Sequence, residues 1–223
     1  RIVGIHYFTA EGALDDYCQY TYGATGDCTT VTSKEGQTTF GYDANHQLTS
    51  ASYSNGRTVT YVLDASGNRT KSVESVNEIK YDVNNLDQYT KVGETAYQYD
   101  RNGNLIQKTD PEGTVAYEWD TDNRLTGVEG GGKRVAYEYD TQGRLLRKTT
   151  GEKSVRYLWD GDNVVAEMDA DGNILLRYVY GKDGNELVAV LSGGDVLWVR
   201  QNATGSLNGL TSADGAVQET AAY

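Results

Sequence analysis

Ala136-Tyr-Glu-Tyr-Asp140-Thr-Gln-Gly-Arg-Leu145 carries the pattern that decides the fold. Tyr137 and Tyr139 are two residues apart, and successive side chains of a strand point to opposite faces, so both rings belong on one face of a β-strand. Asp140 is placed to accept hydrogen bonds from the backbone just ahead of it, and Gly143 to take the positive φ that closes a tight turn. Arg144-Leu145 begins a return strand. One copy of the pattern therefore predicts one β-hairpin.

The pattern recurs outward from this copy. Ala96-Tyr-Gln-Tyr-Asp100-Arg-Asn-Gly-Asn-Leu105, Ala116-Tyr-Glu-Trp-Asp120-Thr-Asp-Asn-Arg-Leu125, Arg156-Tyr-Leu-Trp-Asp160-Gly-Asp-Asn-Val-Val165 and Tyr61-Val-Leu-Asp64-Ala-Ser-Gly-Asn-Arg69 align with it directly. Marking the aspartates gives Asp43, Asp64, Asp82, Asp100, Asp120, Asp140 and Asp160, at spacings of 21, 18, 18, 20, 20 and 20 residues. Weaker copies at Tyr20-Thr-Tyr-Gly23, Tyr178-Val-Tyr-Gly181 and Trp198-Val-Arg-Gln201 extend the period of about twenty in both directions.

Midway between the aspartates lies a second turn signal, as in Asp110-Pro-Glu-Gly113, Gly130-Gly-Gly-Lys133, Thr150-Gly-Glu-Lys153 and Asp169-Ala-Asp-Gly172. Two turns per period leave strands of about six or seven residues that neighbour each other antiparallel. No long stretch places apolar residues at helical spacing. The fold class is all-β: repetitive antiparallel hairpins forming a coiled sheet. Residues 1–19 read as an N-terminal cap or degenerate repeat, and residues 20–223 as the hairpin array.

Composition agrees. The 223 residues include 18 Tyr and 26 Gly but only 2 Phe, 1 Pro and 1 Met. Tyrosine packs on neighbouring strands while its hydroxyl tolerates water, so this composition suits a sheet with a polar interior or two wetted faces. The net charge of −12 repels a phosphate backbone, and no Lys/Arg cluster offsets it, so nucleic acid is not an expected partner. Apolar runs such as Glu186-Leu-Val-Ala-Val-Leu191 are of strand length, and no membrane span is expected.

Tyr137-Glu-Tyr-Asp-Thr-Gln-Gly-Arg-Leu145 resembles the YD repeat of Rhs proteins, a family that includes toxin-complex B and C subunits, bacterial wall-associated proteins and teneurins. The resemblance covers roughly residues 20–223. It implies a long sheet coiled into a hollow shell or spiral barrel, of which this chain is a segment. Bacterial members enclose a toxic C-terminal domain, whereas teneurins are cell-surface adhesion receptors. The segment from Trp198 to Tyr223 is similar to the stretch before the bacterial core, although Asn202-Ala-Thr-Gly-Ser206 stands where the family usually has Asp-x-Leu-Gly-Ser.

The function implied is a structural scaffold of an exported, secreted or cell-surface bacterial protein that encapsulates or presents a C-terminal toxin or effector. Its partners would be that polypeptide or adjoining shell repeats. The alternative is an adhesion module that binds glycans or a cell surface through hairpin-tip loops.

The residues give no catalytic, cofactor or metal site, and no enzyme is expected. Asp110-Pro-Glu-Gly113 matches the family's aspartyl autoprotease pattern, but it occupies a turn slot that favours Pro and Gly. Asp120-Thr-Asp122, Asp160-Gly-Asp-Asn163 and Asp169-Ala-Asp-Gly-Asn173 are rich in oxygen without the ligand set of a calcium loop. His6 and His46 have neither zinc spacing nor a catalytic-triad context, and Gly130-Gly-Gly132 lacks the ending of a phosphate loop. Asn68-Arg-Thr70 and Asn202-Ala-Thr204 fit the glycosylation pattern but are not expected to be modified. Cys18 and Cys28 are spaced so that a bridge across a hairpin can be drawn.

Overall fold

The computed structural model describes residues 1–8, 12–182, 184, 186–201 and 206–220. Its strands are β1 Gly4–Phe8, β2 Leu14–Tyr22, β3 Cys28–Ser33, β4 Gly36–Tyr42, β5 Leu48–Tyr53, β6 Thr58–Leu63, β7 Arg69–Glu74, β8 Asn77–Val83, β9 Tyr89–Val92, β10 Thr95–Tyr99 and β11 Leu105–Asp110. They continue as β12 Gly113–Trp119, β13 Leu125–Gly130, β14 Lys133–Tyr139, β15 Leu145–Thr150, β16 Lys153–Asp160, β17 Asn163–Met168, β18 Ile174–Tyr180, β19 Leu187–Ser192, β20 Asp195–Gln201, β21 Leu207–Thr211 and β22 Val217–Thr220. No helix occurs among the described residues.

All pairings are antiparallel and follow chain order, so the 22-stranded sheet is not closed. The chain divides into two compact units, one built on residues 1–96 and the other on residues 97–201 and 207–220. In each unit a strand touches only the strands before and after it in sequence. No second layer covers either sheet face among the described residues.

The accessible surface shows the consequence. It amounts to 14707 Å² for 24.4 kDa, against about 10,000 Å² for a compact monomer of that mass. Several of the few buried residues are small ones shielded by larger neighbours on adjacent strands. Ala51, 2% exposed, lies between Phe40 and Val59, and Ser72 lies between Tyr61 and Ile79. In the second unit Ala189, 3% exposed, lies between Val179 and Trp198.

The two hairpin ends differ. At one, Asp64, Asp100, Asp120 and Asp140 each open a loop closed by two backbone bonds. In the Asp140 loop these run from Asp140 N–H to the Arg144 carbonyl (2.9 Å) and from Gly143 N–H to the Asp140 carbonyl (3.1 Å). Asp140 Oδ1 accepts the N–H groups of Gln142 and Arg144, both at 2.8 Å. At the other end most turns are two residues long, as at Glu152 between β15 and β16.

The fourth loop residue takes a left-handed conformation, at Gly143 (φ 83°) but also at Asn123 (φ 60°) and His46 (φ 64°). Asparagine and histidine tolerate this region and β-branched residues do not. Gly143→Val should therefore cost about 1–2 kcal/mol and Gly143→Asn clearly less. Urea midpoints at unchanged m-value check the order, and equal effects would remove the left-handed requirement.

Two motif aspartates need correction. Asp82 lies inside β8, and the loop of that hairpin opens at Asn84, whose Oδ1 accepts the N–H groups of Leu86 (2.9 Å) and Gln88 (3.1 Å). An amide oxygen serves the turn as well as a carboxylate, which the search for Asp missed. Asp160 ends β16, pairs with Asn163 and leads into a two-residue turn. The five-residue aspartate loop next appears at the opposite hairpin end, at Asp169, whose Oδ1 accepts from Asp171 (2.9 Å) and Asn173 (2.8 Å).

Candidate functional site

The chemistry of the chain gathers along the row of hairpin tips, and each motif residue has a separate task there. The ring just before a tip carries its polar end to the neighbouring hairpin. Trp119 Nε1–H donates to the Leu105 carbonyl, Tyr139 O–H to Leu125 and Trp159 Nε1–H to Leu145, all at 2.8 Å. In the first unit Tyr22 donates to Ile2 and Tyr42 to Cys28, also at 2.8 Å. Phenylalanine cannot make this bond. Each ring sits where a register shift interrupts the ladder, as between Glu138 and Tyr139.

The fifth loop residue joins one tip to the next. Arg124 Nε donates to its own Asp120 Oδ2 (2.7 Å) and Nη1 to the Asp140 carbonyl (3.0 Å), with the guanidinium 5.3 Å from the Tyr139 ring. Arg144 repeats this, with Asp140 Oδ2 at 2.7 Å, the Gly161 carbonyl at 2.9 Å and the Trp159 ring at 5.8 Å. Asn104 Nδ2 reaches Asp100 Oδ2 (2.9 Å) and Asn123 Oδ1 (2.8 Å), and Asn68 Nδ2 reaches Asp87 Oδ1 (2.7 Å). Sequence reasoning took this position only as the start of a return strand. Its alternation between Arg and Asn was the available signal.

These contacts hold the tip carboxylates below the usual aspartate range. For Asp120 the main cause is the Arg124 backbone N–H, for Asp100 and Asp169 the carboxamides of Asn104 and Asn173, and for Asp64 the Asn68 backbone N–H. Tyr178 moves the other way. Burial, and then its hydrogen bond to Glu167 Oε1 (2.7 Å), push its phenol up.

The other singled-out residues also lie in structural roles. Asp110 Oδ1 accepts the N–H groups of Glu112 (3.0 Å) and Gly113 (3.1 Å), while Oδ2 meets Lys108 Nζ at 2.8 Å, so the Asp-Pro carboxylate is held by its turn. Both carboxylate oxygens of Asp120 and Asp169 are likewise taken within their loops. No group of three or more His, Cys, Asp or Glu side chains suited to a metal occurs among the described residues. Gly131 and Gly132, with φ of 57° and 72°, form a hairpin turn.

His6 lies in β1 beside Phe8 and Tyr17. His46 bridges tips, its Nδ1 2.7 Å from Asp27 Oδ2. The Asn68 carboxamide is engaged in the tip row, whereas Asn202-Ala-Thr204 falls outside the described residues.

The cysteine bridge drawn across the hairpin is not compatible with the register. Cys18 faces Ser33 and Cys28 faces Tyr22. Four residues of strand separate the pair, about 13 Å, beyond the roughly 7 Å that a disulfide spans. Neither cysteine forms a disulfide, and the Cys28 thiol donates to the Thr30 carbonyl at 3.4 Å.

The sheet faces differ in chemistry. A row of hydroxyl residues, Thr21, Thr30, Thr39, Ser52 and Thr58, crosses five strands of the first unit on the face opposite Phe40 and Tyr61. In the second unit the corresponding face carries the Arg134–Glu118 pair (2.5 Å) and the Arg147–Glu138 pair (3.3 Å).

A hairpin array with one loop type repeated at the tips is also what comparison with known proteins finds. The teneurin YD-shell profile matches residues 25–220. The chain belongs to the teneurin YD-shell family. The YD-shell chain is 31% identical over 184 residues to the tRNA3(Ser)-specific nuclease WapA of Bacillus spizizenii, covering 78% of this chain and 8% of that protein. It is 31% identical over 153 residues to the tRNA nuclease WapA of Bacillus subtilis, covering 64% of this chain and 6% of that protein. Among solved structures, TcdB2-TccC3 superposes with a TM-score of 0.58 at 14% identity, over 97% of this chain and 14% of that one. TcdB2-TccC3 without its hypervariable C-terminal region gives the same values. The YD-shell chain thus spans under a tenth of the length of these curated relatives.

Proposed function

We propose that this chain is a wall segment of an exported shell, and that the shell encloses or presents a toxin or effector polypeptide carried C-terminal to it. The observation that carries the reading is the uncovered sheet. A domain of this size normally buries one face of each sheet against a second layer, yet here strands meet only their sequence neighbours. Continuous strand pairing removes free edges along the sheet, and the tip row ties successive hairpins together. Such a construction suits a wall that separates contents from solvent.

The relatives support the same role. The WapA proteins are named as tRNA nucleases, and the matching region is under a tenth of each. We assign any nuclease activity to another part of such proteins, because a chain of net charge −12 repels RNA. The wall itself performs no bond chemistry in this reading. No helix among the described residues is long and apolar enough to cross a membrane. The glycan-binding alternative gains little from Tyr139 and Trp159, whose ring faces already carry the Arg124 and Arg144 guanidinium groups.

Electron microscopy of the complete natural polypeptide, joined to a protease-protection assay on its C-terminal region, tests the proposal. A hollow particle with internal density and a protected C-terminal region is expected. Particles without a lumen, or digestion of that region as fast as when it is expressed alone, would overturn it.

A further inference from the structure

Along the tip row the fifth loop position holds Gln47, Asn68, Gln88, Asn104, Arg124 or Arg144, and at one tip a carboxylate, Asp27. At the two tips whose fifth residue is arginine, the guanidinium lies over the aromatic ring that precedes the next tip. Arg124 lies 5.3 Å from Tyr139 and Arg144 5.8 Å from Trp159. Arg1 has the same place, 5.5 Å from Tyr22, whose hydroxyl donates to the Ile2 carbonyl as Tyr139 donates to Leu125. At the next tip this position is Asp27. Its ring is Tyr42, whose hydroxyl donates to Cys28 in the same relation.

The space a guanidinium would fill is open. A recess of about 360 Å³ is lined by Gly23, Thr25, Asp27, Tyr42, Asp43 and His46 among others. Asp43 Oδ1 accepts the N–H groups of Asn45 (2.8 Å) and Gln47 (2.9 Å), but its Oδ2 has no partner among the described residues. In the Asp120 and Asp140 loops the equivalent oxygen is held by the arginine at the fifth position of the same loop, where the Asp43 loop has Gln47. Asp27 Oδ2 is taken by His46 (2.7 Å) and Thr25 (2.8 Å).

We propose that this recess is a receptor slot for the arginine side chain of a second polypeptide segment, which supplies in trans the cation that neighbouring repeats supply in cis. The incoming guanidinium would lie over the Tyr42 ring and meet the open oxygen of Asp43, with Asp27 adding negative charge. A lysine ammonium reaches only part of this set, because the slot pairs a flat ring with a lateral carboxylate. A sugar would find the ring but meet carboxylates where neutral donors and acceptors suffice. The slot is independent of the container role, which stands or falls on the particle's lumen.

The test is a titration of the isotope-labelled chain, followed by backbone amide shifts, with N-acetyl-arginine amide, the uncharged isostere N-acetyl-citrulline amide and methyl glucoside. Saturable shifts at Asp27, Tyr42, Asp43 and His46 are expected with the arginine probe, and binding at least about fivefold weaker with citrulline. Asp27→Arg should abolish these shifts and raise the thermal midpoint, because its own side chain fills the slot. Asp27→Asn keeps the shape and should weaken binding. Equal affinity for citrulline, preference for the glucoside, undiminished binding by Asp27→Arg or no saturable shift would each overturn the proposal.

Discussion

Trp159→Ala should be among the most damaging single substitutions in the second unit, with an expected loss of about 2–3 kcal/mol. The ring is half-buried, lies opposite Val164 on the next strand and carries the Arg144 guanidinium 5.8 Å from its centroid. Its Nε1–H also donates to the Leu145 carbonyl at 2.8 Å. Trp159→Phe keeps most of the ring contact and removes only the donor, so it should cost about 1 kcal/mol. Tyr139→Phe, which deletes the matching bond to Leu125, should cost about the same. Urea unfolding at constant m-value measures all three. If Trp159→Phe is as harmful as Trp159→Ala, the hydrogen bond outweighs the ring. If neither phenylalanine variant is destabilised, the cross-hairpin bond is not a source of stability.

Acid should unfold the array in a window set by the tip aspartates. Asp64, Asp100, Asp120 and Asp169 all titrate below the ordinary value in the folded chain. That ordinary value is about 3.9. Over this range the unfolded chain therefore binds more protons than the folded one, so stability rises with pH. The contribution is complete above the unfolded value and disappears as pH falls through the lowered folded values. Far-UV circular dichroism should accordingly show the sheet persisting at pH 5 and failing below about pH 4.

Asp120→Asn refines this test. The amide oxygen can still accept the backbone N–H groups of Asp122 and Arg124, as Asn84 does in its own loop, but the charged contact with Arg124 is lost. The variant should be less stable than the parent at pH 7, and the difference should begin to narrow as pH falls through about 4. A difference that does not narrow there would show that the carboxylate charge is irrelevant.

A consequence of one-layer construction is that coupling passes only from strand to strand. Each hairpin depends on its immediate neighbours, as in other repeat architectures, and the tip row adds a second line of contacts between alternate turns. The Arg134–Glu118 and Arg147–Glu138 pairs are exposed on one face and contribute little individually. Stability therefore rests on backbone ladders, on rings shielding small residues such as Ala51 and Ala189, and on the tips.

Strand identity, antiparallel order and the tip at Asp140 were legible in the chain itself, because alternation and turn chemistry are local properties. Two residues of separation put Tyr137 and Tyr139 on one face, and Asp with Gly three residues later specifies the loop without help from elsewhere. What only the folded sheet decided is which residues meet across hairpins. Register placed Cys18 four residues from the position opposite Cys28, and a turn at Asn84 displaced Asp82 from the tip it was assigned to. The bond from Trp159 to Leu145 and the recess between Asp27 and Asp43 join residues 14 and 16 positions apart. The side chains of neighbouring hairpins come together only after each ladder has fixed its register, so the recurring Arg and Asn marked a position in the chain but not the partner it meets.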